Sequence, residues 1–193
     1  VKWWFKTKCR AGGITFMTLG LLATIVYASA DFPAPRVGGV TAVPTSLIAP
    51  SLLAAALIIF RNSAAPINEF RAVRPLQALE SGLTCALILL VCGLLLGGRS
   101  LYGEGHLLEA TRNFLAYSGL ALTLRYFSAG IAANSAIAYA LLLAVLGSPT
   151  ALWSFPLRSG SSLMSWVCAA ALIVTGLAVS TARASVLRSE LNT

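Results

Sequence analysis

Six apolar runs of nearly bilayer-crossing length, separated by short polar connections, leave few folds open to this chain. They fall at residues 11–30, 41–60, 76–97, 106–124, 131–147 and 163–182. A helix needs about 20 residues to cross a hydrocarbon core of roughly 30 Å, so each run is a candidate span. Only 10% of the residues are charged and 58% are hydrophobic, whereas a soluble domain carries roughly 25% charged residues. These features predict an all-α, polytopic membrane helical bundle of six transmembrane helices, forming one transmembrane domain over residues 1–193. The net charge of +8 does not indicate nucleic acid, because the fourteen Lys and Arg are scattered at the ends of apolar runs rather than gathered on one face.

Three of the runs carry features of their own. The first follows Lys2, Lys6, Lys8 and Arg10, the order of charge then apolar residues that a signal peptide also uses; its length favours a span that is retained. The second contains Pro44 and Pro50, which leaves open a passive kink or a hinge. The fourth carries Glu109 and Arg112 near its start. Three residues apart, the two share a helix face, where a pair at the membrane surface is expected.

The basic residues orient the bundle. Lys2, Lys6, Lys8, Arg10, Arg61, Arg71, Arg74, Arg125, Arg183 and Arg188 fall on one side of the six-span layout, and Arg36, Arg99, Arg112 and Arg158 on the other. Positive charge is held on the cytoplasmic side during insertion, so both termini are expected in the cytoplasm. Arg125 then lies at the inner end of the fourth span. There it is expected to be held by headgroups or by snorkelling rather than by a buried acid.

The most polar interior stretch, RNSAAPINEFRAVRPLQALES from Arg61 to Ser81, falls on that inner side. Its signals describe a short separate helix. Ser63 is placed to cap, Pro66 suits the first helical position, Glu69 sits in the first turn, and Arg71 and Arg74 fall in the last. Pro75 then disfavours helical geometry at Arg74. Ile67, Phe70 and Val73 make an apolar stripe that leaves Asn68, Glu69 and Arg71 toward water. Two readings are open: a membrane-surface helix that docks a cytosolic partner, and a solvated loop whose arginines bind lipid headgroups.

Residues that carry chemistry elsewhere are sparse. His106 is the only histidine and sits in an outer loop without a second metal ligand beside it. Cys85 and Cys92, seven residues apart, rise roughly 10 Å from one another on a helix and cannot bond, and the sequence has no CxxC. No GxxxxGK[ST] phosphate loop occurs, and no paired carboxylates lie within a run. The chain is therefore not expected to be an enzyme, to hold a metal or cofactor, or to hydrolyse ATP by itself. Most of the uncharged polar residues in the runs, among them Ser46, Ser51, Tyr117 and Ser118, are expected to pack helices together. Asn134 and Ser135, with Tyr139 one turn on, offer the alternative of a translocation path.

The layout resembles the compact six-span permease subunits of ABC-2-type transporters. The resemblance rests on VKWWFKTKCR before the first span, PINEFRAVR between spans two and three, and SPTALWSFPLRSGSS between spans five and six. TRNFLAYSGLALTLRYFSAG, opening the fourth span, and WSFPL followed by SWVCAAALIVTGL are similar to small bacterial members of that group. The resemblance implies a multi-pass protein of the bacterial plasma membrane that dimerises with a second copy or paralogue. It implies an exporter whose ATP and magnesium are bound by a separate ATPase subunit. The segment between spans two and three would then be a cytoplasmic coupling helix, with Pro66, Asn68, Glu69, Phe70, Arg71 and Arg74 at the ATPase interface. The competing class is a non-transporting membrane anchor or scaffold subunit of a larger complex.

Overall fold

A computed structural model describes residues 11–27, 29–36, 39–62, 76–103, 105–148 and 150–190. Six α-helices account for most of them: α1 (Ala11–Val26), α2 (Thr45–Asn62), α3 (Leu76–Tyr102), α4 (Gly105–Leu124), α5 (Ala129–Leu146) and α6 (Leu163–Glu190). Each apolar run overlaps one of these helices. The Pro66–Arg74 segment, with Asn68, Glu69, Phe70 and Arg71, and the basic N-terminal stretch lie outside the described residues.

Two elements depart from the all-helical expectation. Strands β1 (Asp31–Arg36) and β2 (Gly39–Pro44) form an antiparallel hairpin in which Asp31 pairs with Pro44 and Arg36 with Gly39. The second apolar run is thus part strand, and Pro44 ends β2 instead of bending a helix. Pro33 and Pro35 alternate along β1; their missing N–H groups suit the open edge of a two-stranded ribbon. The base of the hairpin is tied directly to α2, because both the amide and the hydroxyl of Thr45 donate to the Ala30 carbonyl, at 3.0 and 2.6 Å. A 3₁₀ helix (Leu152–Leu157) lies between α5 and α6.

The helices alternate in direction. The hairpin, the start of α4 and the 3₁₀ helix meet at one end of the bundle, and Arg61, Glu80 and Arg125 meet at the other. Buried α2 residues Leu53, Leu57 and Ile58 share an apolar core with Ile88 and Val91 of α3 and Phe114 of α4. Helices α4 and α6 cross with their backbones in contact. A methyl group added at Gly119 would sit 2.5 Å from the Ile173 nitrogen, and one at Gly176 would sit 2.5 Å from the Gly119 carbonyl oxygen. Backbones in direct contact need glycine on both sides, a device common where helices pack in lipid.

Among the described residues, four helical stretches are long and apolar enough to cross a membrane: Thr45–Asn62, Glu80–Leu101, Ala129–Leu146 and Leu163–Ala182. Their outer faces expose Leu89, Leu90, Leu141, Leu146, Leu163 and Val174. A surface so apolar suits lipid and would drive a water-soluble monomer to aggregate. This is the build of a helical membrane protein. The described part of α1 is shorter, at 16 residues, and α4 carries charge in its first two turns.

Candidate functional site

Two polar clusters interrupt this apolar fabric, one at each end of α4. The first begins with a proline. Pro50 sits inside α2 and has no N–H to give the carbonyl four residues back, that of Ser46. The Asn113 side chain of α4 supplies the missing donor, with Nδ2 at 3.0 Å from the Ser46 oxygen, and also reaches the Pro156 oxygen at 3.3 Å. Ser51 lies beside the proline and turns its hydroxyl back to the Ile48 oxygen at 2.7 Å.

Arg112, next to Asn113, is 0% exposed and is the largest fully buried side chain of the described chain. Its Nη1 donates to the Ser159 oxygen at 2.8 Å. Its Nη2 donates to the Pro156 and Arg158 oxygens at 2.8 and 2.9 Å and to Asn113 Oδ1 at 3.2 Å, and Nε reaches the same Oδ1 at 3.3 Å. The planar guanidinium fork is what permits several carbonyls to be gathered by one side chain. Glu109, one turn earlier, accepts the Gly160 amide at 3.1 Å and the Ser46 hydroxyl at 3.3 Å. His106 Nδ1 lies 3.5 Å from the same carboxylate, with the imidazole half exposed. Residues 109, 112 and 113 thus form one face of α4 that holds the segment 156–160 and the first turn of α2.

Several expectations are corrected here. Glu109 and Arg112 share a face, but instead of pairing with each other each reaches partners elsewhere in the fold. His106 lies in the first turn of α4 and not in a loop. Among the described residues no group of three His, Cys, Asp or Glu is placed to hold a metal ion. Cys85, Cys92 and Cys168 are free thiols.

The second cluster lies at the far end of α4, roughly 20 Å away by helix rise from Arg112 to Arg125. Glu80 Oε1 is 3.5 Å from both Arg61 Nε and Arg125 Nη2, and Arg125 Nε donates to Asn62 Oδ1 at 2.8 Å. Arg125 is at the end of α4 as expected, but it meets a carboxylate that is only 10% exposed, contrary to the expectation of headgroups or snorkelling rather than a buried acid. The cluster joins the last turn of α2, the start of α3 and the end of α4, so it frames the two ends from which residues 63–75 depart.

The three residues considered for a path all lie on α5. Asn134 is exposed and donates to the Gly130 oxygen at 3.1 Å, while Ser135 donates to the Ala132 oxygen at 2.9 Å; both bonds stay within α5. The Tyr139 hydroxyl donates to the Trp153 oxygen, and its ring meets that of Tyr117 edge to face at 6.0 Å. Asn113 shares a helix face with Glu109, a signal present in the sequence, but its partners lie 43 to 67 residues away. No protein-family model, curated protein or solved structure matches the chain.

Proposed function

We propose that this chain is the permease subunit of an ATP-driven ABC-2-type exporter in a bacterial plasma membrane. Both of its termini are cytoplasmic, and it acts as a dimer with a separate ATPase. The observation that carries the reading is the charged tie at the end of the bundle where residues 63–75 begin and end. Arg61 and Asn62 on α2, Glu80 on α3 and Arg125 on α4 bind three helices to one another there. A segment that receives force from a partner needs a frame that moves as a body, and this tie supplies one. In this proposal Phe70 is the apolar anchor to the ATPase, while Glu69 and Arg71 set its orientation through charge-assisted hydrogen bonds. The chain contains no nucleotide-binding motif, so the energy comes from the partner.

The experiment is co-purification of an ATPase from the native membrane, with export measured alongside, for the wild-type chain and for Phe70→Asp combined with Glu69→Lys. Loss of both association and export in a chain that still folds supports the proposal; survival of both removes it. The packing of α4 directly on α6 at Gly119 and Gly176 favours a second reading, a rigid membrane scaffold. On that reading a partner co-purifies without any export.

A further inference from the structure

We propose that two copies of this chain pair through the outer face of α5, with the Asn134 carboxamides of the two copies hydrogen-bonded to each other. The outward faces of the four span-length stretches are largely aliphatic, with Leu52, Ile59, Leu89, Leu90, Val167 and Val174 among their exposed side chains. Asn134 is the one carboxamide exposed on them among the described residues. One of its N–H groups donates to the Gly130 oxygen at 3.1 Å, while the Oδ1 and the second N–H have no partner among the described residues. The hydroxyls exposed on α6 are a lesser problem, because a threonine can bond its own helix, as Thr181 does with the Ala178 oxygen. A carboxamide cannot satisfy both of its ends in that way.

The depth of Asn134 makes this costly. Tyr126 and Phe127, both exposed just ahead of α5, are residues of the kind that a membrane interface attracts. The 18 residues of α5 rise about 27 Å, close to the thickness of the hydrocarbon core. Asn134 stands in the second turn, about 7 Å from the start of the helix by rise. Its side chain is too short to reach the headgroups as a lysine or arginine does. A polar group so placed gains by bonding across to another helix. The nature of that helix follows from symmetry. Two copies inserted in the same orientation are related by a two-fold axis along the membrane normal, so a residue that faces the axis meets itself at equal depth. A carboxamide is both donor and acceptor and completes its own pattern there, each Nδ2 donating to the Oδ1 opposite.

The rest of the face fits a second α5. Ile131, Asn134, Ala138, Leu141 and Val145 are exposed at alternating spacings of three and four, the repeat of a left-handed coiled-coil seam, in which a lone Asn fixes register and partner number. Ala138 lies one turn beyond Asn134. One turn before it, a Cβ on Gly130 would meet only its own Ser128 Oγ, at 3.8 Å, so a neighbouring backbone has room to approach. This inference deepens the dimer of the exporter reading by naming its seam, and rests on that reading only in taking the chain to self-associate.

The test uses the full chain in liposomes with no ATPase present. Donor- and acceptor-labelled copies are mixed, and energy transfer is followed as added lipid dilutes them. The wild type is expected to dimerise, and Asn134→Leu, which keeps the bulk of the face, to need about tenfold more protein per lipid for the same transfer. Asn134→Gln keeps donor and acceptor and should associate more tightly than Asn134→Leu. Contact is mapped in a chain whose Cys9, Cys85, Cys92 and Cys168 are replaced by alanine. Ile131→Cys, Ala138→Cys and Leu141→Cys, each retaining Asn134, should cross-link between copies on oxidation, whereas Leu90→Cys on α3 and Val174→Cys on α6 should not. Association of Asn134→Leu at the wild-type level would overturn the proposal, as would equal weakening by Gln and Leu or cross-linking through Leu90→Cys or Val174→Cys instead. Any of these leaves the exporter reading standing. A chain that never self-associates overturns the proposal and removes the dimer from that reading as well.

Discussion

The two ends of α4 each bury an arginine cluster, yet they solve the same electrostatic problem differently. At the Arg125 end the charge is met by charge: Glu80 stands 3.5 Å from each of two guanidinium groups and draws three helix ends together. At the Arg112 end the charge is met by dipoles, with backbone carbonyls at 2.8 to 2.9 Å and a carboxylate one turn away that is occupied with other donors. An ion pair fixes side chains to side chains and leaves the connecting backbone to its own devices. A fan of carbonyls fixes the backbone itself, so the Arg112 end governs the shape of a loop and the Arg125 end governs the spacing of helices.

The sharpest way to break this comparison is Arg112→Leu. It strands carbonyls that only water could then satisfy, and the expected loss of stability is on the order of 3 kcal/mol, given a cost of about 1–3 kcal/mol for each buried group left unmade. Chemical denaturation in mild detergent measures the total. At the other end, Glu80→Gln removes the carboxylate between Arg61 and Arg125. Breaking a buried pair typically costs about 3–5 kcal/mol; because the Arg125 side chain is 24% exposed, we expect nearer to about 2 kcal/mol. Salt separates the two ends further. At about 1 M ionic strength, where screening acts over roughly 3 Å, the difference between wild type and Glu80→Gln should shrink, while the effect of Arg112→Leu should persist.

A smaller effect sharpens the account of the carbonyl-bound end. Pro50→Ala returns a backbone N–H to the Ser46 carbonyl, so the Asn113 donor becomes partly redundant. Asn113→Ala should therefore cost less in the Pro50→Ala background than in the native chain, with a coupling of about 1 kcal/mol in a double-mutant cycle. Additive effects would mean that Asn113 acts only through Arg112 and Pro156. The smallest change expected is Tyr117→Phe, which deletes a hydroxyl that has no hydrogen-bond partner among the described residues. It should be neutral or stabilising by up to about 1 kcal/mol, because removing an unsatisfied buried group releases its desolvation cost. A clear destabilisation would show that this hydroxyl is normally hydrated.

Apolar run length and the positions of Gly, Pro and charge carried the helical bundle and most of its helix ends. Thr45 to Asn62, Leu76 to Tyr102 and Leu163 onward are each within a few residues of what the pattern of hydrophobicity expects. Composition settled the solvent, because faces carrying Leu89, Leu141 and Val174 have no place in water. The hairpin was missed because TAVP continues an apolar run smoothly into α2. A strand of alternating exposure and the first turn of a buried helix look alike at that length.

What only the tertiary structure decided was the work of the polar residues inside the runs. Glu109 and Arg112 are visible in sequence as neighbours on one helical face, where local rules propose that they pair. Instead they bind Ser46, Pro156, Arg158, Ser159 and Gly160, all contributed by other elements. The proline in α2 creates a vacant carbonyl at a known place, but nothing local says which donor fills it. Periodicity encodes which face of a helix is buried because burial repeats every turn. A hydrogen bond to a distant carbonyl leaves no repeating trace, so the chain's apolar pattern wrote the bundle, and packing alone chose which of its few polar groups would meet.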